Sequence, residues 1–121
     1  MKNNNAIQAS VWLNLLNTRC EKLKQTLANV YGDRSDDFIA YRTSQMSCLL
    51  EHFIERFGDA PVFIIRVPGR INLMGRHVEH RGSCINSFAI DRETLVAAAE
   101  RDDETFSITN CRDEFGDYTF E

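Results

Sequence analysis

The sequence has few residues that interrupt helices or strands, and it has no long hydrophobic run. Its 121 residues include two prolines and six glycines. No apolar stretch approaches the roughly 20 residues that a membrane helix requires, and the opening residues MKNNNAIQ lack the apolar centre of a signal peptide. We therefore expect no association with a membrane and a cytoplasmic location.

The sequence has no concentrated group of positive charges that could bind a polyanion. The net charge is −4, and no cluster of Lys and Arg with interleaved aromatic residues reverses this charge locally. The hydrophobic fraction of 43% is enough to bury one core of ordinary size. We therefore expect a globular protein that has no nucleic-acid partner.

The sequence also lacks the cysteine spacing of a metal clamp or a small disulfide framework. It contains four cysteines and no CxxC pair, so we predict reduced thiols that mostly fill core space. The cysteines are Cys20, Cys48, Cys84 and Cys111. His77, His80 and Cys84 have the spacing H-x2-H-x3-C, but a structural zinc normally takes four ligands. We therefore predict no metal site.

Residues 6–58 have the apolar spacing of two amphipathic helices. The first helix is predicted to run to Tyr31 and to stop at Gly32. Ser35 can cap the second helix, which is predicted to stop at Gly58. The apolar stripes are Trp12, Leu16, Cys20, Leu23, Leu27 and Val30, and then Phe38, Met46, Leu49, Leu50, Phe53 and Phe57. The pattern predicts a helical hairpin.

The second half of the sequence has the composition of β-strands. After Pro61 the run VFIIRV is β-branched and aromatic, and the runs 95–99 and 105–109 flank an RDDE turn. Shorter runs at 84–90 and Tyr118–Phe120 are expected to add strands. The sequence therefore predicts an α+β fold in which a helical hairpin is followed by a mainly antiparallel sheet.

The densest group of polar side chains lies in residues 68–82, which read PGRINLMGRHVEHRG. Gly69 and Gly75 allow the backbone to turn tightly or to approach a ligand closely. Asn72 is as suited to holding a loop through backbone hydrogen bonds as to contacting a ligand. The polar side chains are Arg70, Asn72, Arg76, His77, Glu79, His80 and Arg81. These donors and acceptors predict a loop that leaves the first strand and binds a polar ligand.

This segment resembles the galactokinase signature of the GHMP kinase superfamily, G-R-x-N-L-I-G-E-H-x-D-Y with a preceding proline. The matching residues are Pro68, Gly69, Arg70, Asn72, Leu73, Gly75 and His77. The downstream runs INSFAI and LVAAAERDDETFSITN are similar to the strand and the hairpin that follow in those kinases. The resemblance implies that residues 61–121 begin a GHMP kinase N-terminal domain, of the ribosomal S5 domain 2-like fold. Residues 1–60 would then be a helical N-terminal extension.

The resemblance implies phosphoryl transfer from ATP, with Mg²⁺, to a hydroxyl group of a monosaccharide substrate. Arg70 would be the catalytic residue beside the reacting hydroxyl, and Arg70, Arg76, His77 and Glu79 would bind the sugar. Such kinases cradle the phosphates in a later loop rich in Gly and Ser, which this sequence lacks. We therefore expect a remaining C-terminal part of the kinase to hold ATP and Mg²⁺, and this chain alone to be inactive. An open edge of its last strand also allows an edge-strand dimer.

Three positions depart from the signature. Arg76 stands where galactokinases have Glu, Glu79 where they have Asp, and His80 where they have Tyr. A guanidinium only donates hydrogen bonds, so Arg76 cannot replace a carboxylate acceptor. Two alternatives therefore stay open: a non-catalytic, sugar-binding or regulatory relative of galactokinase, and a helical interaction module with a vestigial motif.

Overall fold

The computed structural model of the protein describes residues 6–32, 34–74, 80, 82, 84 and 86–121. Three helices and mainly antiparallel strands confirm the predicted α+β class. In chain order the elements are β1 (Ile7–Gln8), α1 (Ala9–Thr18), α2 (Glu21–Tyr31), α3 (Asp36–Phe57), β2 (Pro61–Met74), β3 (Asn86–Ala98), β4 (Phe106–Ile108) and β5 (Tyr118–Phe120).

The longest helix, α3, has the two ends that its sequence predicts. The Oγ of Ser35 accepts a hydrogen bond from the backbone N–H of Phe38 at 3.3 Å. Two acidic residues follow in the first turn, where they face the positive end of the helix dipole. At the other end Gly58 has a φ of 81° and donates its N–H to the Ile54 carbonyl at 2.9 Å. Glycine adopts this conformation without the steric cost that a side chain brings.

The first predicted helix is wrong in one respect, because it is two helices. Arg19 adopts a left-handed conformation, with φ and ψ both 45°, and it ends α1. The Cys20 carbonyl then accepts hydrogen bonds from the N–H groups of Leu23 and Lys24 as α2 begins. A left-handed non-glycine residue costs about 1–2 kcal/mol, which packing elsewhere must offset. The apolar spacing continues across this break, so the spacing alone predicts one continuous helix.

The core lies between the helices and the beginning of β2. Helix α1 packs against α3, and the ring of Tyr31 at the end of α2 meets the ring of Phe38 edge to face, at 5.6 Å. The guanidinium of the buried Arg42 lies over both rings. The buried apolar residues are Ala9, Leu16, Leu23, Leu27, Tyr31, Met46, Leu50, Phe53 and Val62. The helices therefore bury half of the twelve residues in the predicted stripes, whereas Val30 and Phe57 stay exposed.

Hydrogen bonds connect the beginning of α1 to the beginning of β2. Strand β1 pairs antiparallel with β2, with Ile7 opposite Val62. The Asp59 carboxylate accepts hydrogen bonds from the hydroxyl of Ser10 at 2.7 Å and from its backbone N–H at 2.9 Å. Both hydrogen bonds lower the pKa of Asp59, and the bond from the hydroxyl has the larger effect. Because the ionised carboxylate satisfies a free donor of the first helical turn, Asp59 supports α1 at neutral pH.

The strands form two sheets. One has the order β1-β2-β3, and the other pairs β4 with β5 in antiparallel register, Phe106 opposite Phe120 and Ile108 opposite Tyr118. The predicted runs at 84–90 and 95–99 are therefore parts of one strand, β3. The predicted hairpin across the RDDE turn is also corrected, because β4 pairs with β5 instead of β3. Residues 102–104 do bend. Arg101 forms an ion pair with Asp103, and its hydrogen bond lowers the pKa of the Asp103 carboxyl to about 2.

The two-stranded sheet has an exposed apolar face. Phe106, Ile108, Tyr118 and Phe120 are each 47–63% exposed, and the rings of Phe106 and Phe120 stack at 5.2 Å. Ser107 and Thr119 face each other on the opposite side.

The chain divides into two compact units, formed by the described residues of Met1–Ile64 with Ala97–Glu121 and by those of Ile65–Val96. The first unit contains the helices and the two-stranded sheet. The second unit contains most of β2 and β3, which form a two-stranded ribbon. Of the helices in the described part of the chain, none has the length and apolar content that crossing a bilayer needs.

The prediction that most cysteines fill core space is wrong. All four cysteines are free thiols, but Cys48, Cys84 and Cys111 are exposed and Cys20 is half-buried. The buried face of α3 runs through Met46, Leu50 and Phe53, so position 48 lies off that face. Cys111 lies in the loop between β4 and β5.

Candidate functional site

The described part of the polar segment, Pro68–Met74, is a strand. Strand β2 runs without interruption to Met74, so the prediction of a loop leaving the strand at Pro68 is wrong. Apolar side chains at Val67, Ile71 and Leu73 keep the alternation of a strand. Proline is tolerated here because β1 pairs with β2 only at Pro61 and Val62, which leaves this edge of β2 unpaired in the described strands.

Strand alternation gives the ribbon a polar face and an apolar face. Arg66, Arg70 and Asn72 are separated by even numbers of residues, so they share one face of β2. Val67, Ile71 and Leu73 share the other face and are 45–61% exposed. Arg70 is exposed, and none of the ion pairs formed by described residues includes it. Its guanidinium can therefore donate hydrogen bonds to a ligand.

An ion pair joins the two strands on the face that carries Arg70. The Nε of Arg66 donates to Oε2 of Glu93 in β3. The Glu93 side chain is only 2% exposed, and that of Arg66 is 33% exposed. A buried carboxylate needs such a partner, because removing the partner leaves an uncompensated buried charge. Neither residue was among the predicted site residues, although the arginine within the apolar run VFIIRV was a usable signal.

Gly69 is required by the close approach of β3. A Cβ atom at this position would lie 3.0 Å from Cγ1 of Ile90 and 3.1 Å from the carbonyl oxygen of Arg92. Both distances are shorter than ordinary van der Waals contacts. The glycine therefore allows the two strands of the ribbon to pair closely beside Arg70, and its role is this contact rather than a turn.

We expect Gly69→Ala to destabilise the chain by about 1–3 kcal/mol, the usual cost of overpacking. The matched control is Gly116→Ala, since a Cβ atom at Gly116 meets nothing within 4 Å. Urea denaturation of both variants, followed by circular dichroism, measures the free energy of unfolding. In an Ile90→Ala background the cost of Gly69→Ala should fall, because the close contacts with the Ile90 side chain are gone. Equal stability of the Gly69 and Gly116 variants would contradict the close-approach argument.

Of the predicted site residues, the structure places only Arg70. Arg76, His77 and Glu79 lie outside the described residues, as does Gly75. Beyond them, His80 is exposed, and Gly82 has a φ of 74°, which glycine adopts without steric cost. Within the described ranges, no group of three His, Cys, Asp or Glu residues is arranged to hold a metal ion.

Comparisons with known proteins match the part of the chain that contains this ribbon. The family model described as the galactokinase galactose-binding signature matches residues 51–100. A galactokinase of Dictyostelium discoideum is 38% identical over 60 residues, which are 48% of this chain and 12% of the relative. A galactokinase of Chloroflexus aurantiacus is 41% identical over 68 residues, which are 56% of this chain and 17% of the relative.

A galactokinase of Roseiflexus sp. is 44% identical over 55 residues, which are 46% of this chain and 14% of the relative. No solved structure matches the chain. The chain spans 12–17% of the length of these relatives. Over residues 51–100 it is therefore similar to the part of galactokinases that carries the galactose-binding signature.

Proposed function

We propose that this chain is the sugar-recognition portion of an ATP-dependent sugar kinase that resembles galactokinase and phosphorylates a monosaccharide hydroxyl. One observation carries the proposal: the galactose-binding signature matches residues 51–100, which include the whole ribbon of β2 and β3. The exposed guanidinium of Arg70 on this ribbon is suited to a polar ligand.

In the proposed reaction, Arg70 acts as a hydrogen-bond donor and a positive charge beside the reacting hydroxyl. A guanidinium does not give up its proton, so Arg70 stabilises the negative charge that develops and does not act as a base. The Arg66–Glu93 pair and the close approach at Gly69 hold the strand that carries it. We assign contacts with the sugar to Arg76, His77 and Glu79 from their positions in the signature, where His77 matches and Arg76 and Glu79 replace a Glu and an Asp.

The described residues do not fit a site for ATP and Mg²⁺. They contain no cluster of three potential metal ligands, and the sequence has no loop rich in Gly and Ser. The proposal therefore places the phosphate donor on the remaining C-terminal part of the kinase and expects this chain alone to be inactive. It also includes membership of the GHMP kinase superfamily, with residues 1–60 as a helical extension and 61–121 as the beginning of the kinase domain.

A graft tests the proposed function. We would replace the matching segment of the Dictyostelium discoideum galactokinase with residues 51–100 of this chain and measure ATP-dependent phosphorylation of galactose and galacturonate. The proposal expects the folded graft to phosphorylate at least one of these sugars. The unchanged relative is the positive control, and circular dichroism with ATP binding verifies the fold. A folded, ATP-binding graft that phosphorylates neither sugar would contradict the proposal, and sugar binding without turnover would favour a non-catalytic relative.

A further inference from the structure

The loop between β4 and β5 lies against one side of α3. At the beginning of this loop, the Oγ1 of Thr109 is 3.2 Å from Nε2 of His52, which is half-buried. At its end, Asp117 forms an ion pair with Arg56. His52 and Arg56 are four residues apart and therefore share one side of the helix. Two contacts thus hold both ends of the loop beside the same side of α3.

Hydrogen bonds within the loop hold it in a compact form. Nδ2 of Asn110 donates to the Gly116 carbonyl at 3.1 Å, which closes the base of the loop. Inside it, the N–H of Phe115 donates to the Arg112 carbonyl at 3.1 Å. Cys111 follows Asn110 directly, so it lies next to the residue that closes the loop. Its position relative to α3 is therefore constrained on both sides.

Cys48 lies on the same side of α3, one turn before His52. One helical turn advances about 5.4 Å, while Cys111 lies two residues, at most about 7 Å, beyond Thr109. Partial burial raises the pKa of Cys111, and the nearby Cys48 raises it further, which agrees with this placement. Both thiols are exposed, so a small oxidant can reach them.

We propose that Cys48 and Cys111 are a redox-sensitive pair that forms an intramolecular disulfide in the presence of a peroxide. The bond would fasten the loop between β4 and β5 to α3 at a third point. The two existing contacts make the pairing selective, because a disulfide needs its Cα atoms within about 4.4–6.8 Å. Of the other cysteines, Cys20 is half-buried at the beginning of α2 and is therefore less accessible to the oxidant.

The chemistry uses hydrogen peroxide as the oxidant. One thiolate attacks a peroxide oxygen to give a sulfenic acid, and the O–O bond breaks with release of one water. The second thiolate attacks the sulfenic sulfur, the S–S bond forms, and the hydroxyl leaves as a second water after protonation. In total, two thiols lose two electrons and two protons, and one peroxide becomes two waters.

The test treats the purified chain with a small excess of hydrogen peroxide, blocks the remaining thiols with iodoacetamide and maps the linked peptides by mass spectrometry. We expect one predominant cross-link, between Cys48 and Cys111, with Cys20 and Cys84 alkylated. A Cys20→Ser/Cys84→Ser variant should form the same bond, and Cys48→Ser and Cys111→Ser should not. Closing this long loop should also raise the Tm by on the order of 10 °C, reversibly with dithiothreitol.

Other results would overturn the proposal. These are a predominant cross-link that involves Cys20 or Cys84, cross-links only between two chains, or sulfinic and sulfonic acids on Cys48 and Cys111 without a disulfide. Because Cys48 and Cys111 are exposed, their serine variants should fold, and circular dichroism verifies this. The outcome does not depend on kinase activity or on sugar binding.

Discussion

An Arg70→Ala substitution in the graft is expected to lower kcat/KM for sugar phosphorylation by about 100- to 1000-fold, the usual loss when one donor to developing charge is removed. The reason is the exposed position of Arg70 on β2 together with its place in the galactose-binding signature. Steady-state kinetics with saturating ATP measure the change. Because Arg70 is proposed to act beside the reacting hydroxyl, most of the loss should appear in kcat rather than in KM.

The matched control for this experiment is Arg92→Ala. Arg92 is an exposed arginine of β3 in the same ribbon, so its removal changes the net charge equally. We expect kcat/KM of the control to stay within a few-fold of the unmodified graft. Arg70→Lys should recover only part of the activity, because an ammonium keeps the charge but not the planar donor geometry. Equal losses in the Arg70 and Arg92 variants would refute a specific role for Arg70.

Substitution of Arg76 is expected to change which sugar the graft prefers. Arg76 is a pure donor at a position where the galactokinase signature has a carboxylate acceptor. A neutral hexose would lose a contact there, whereas an acidic or phosphorylated sugar would gain a charge-assisted hydrogen bond of about 1.5–3 kcal/mol. We therefore infer that Arg76 favours an acidic substrate over galactose.

The test compares kcat/KM for galactose and for galacturonate in the graft and in its Arg76→Glu variant. The substitution should move the ratio towards galactose by at least about tenfold, since 1.4 kcal/mol corresponds to a factor of ten. Arg81→Glu is a matched control, because it makes the same charge change five positions away, outside the quoted signature. An unchanged ratio would end the acidic-sugar idea and would leave the kinase proposal standing.

Local signals in the sequence were sufficient to predict α3. Its capping serine, its apolar stripe and its terminal glycine all depend on neighbouring residues. The structure confirms the serine and the glycine, and it buries Met46, Leu50 and Phe53 of the stripe. The break at Arg19 was not predictable in this way. A left-handed arginine is locally unfavourable, so only packing of α1 and α2 against the rest of the unit can maintain it.

The candidate site shows the same contrast. The motif predicts a role for Arg70, which stays a prediction, and its glycine and proline suggested a loop where β2 continues as a strand. The alternation of Val67, Ile71 and Leu73 was visible in the sequence. The reason that position 69 is a glycine was not visible there. That reason is a contact with Ile90 and Arg92. Contacts between residues far apart in the chain cannot be read from local spacing.

The exposed apolar faces have a consequence for the handling of the chain at high concentration. The ribbon presents Val67, Ile71 and Leu73, and the two-stranded sheet presents stacked aromatic rings. Electrostatic repulsion between molecules opposes contact between such faces, and it depends on a net charge of only −4. This repulsion vanishes near the isoelectric point of about 5.4. Buffers well above that pH and low in salt therefore keep neighbouring molecules apart, and acidification towards that pH favours association through the exposed faces.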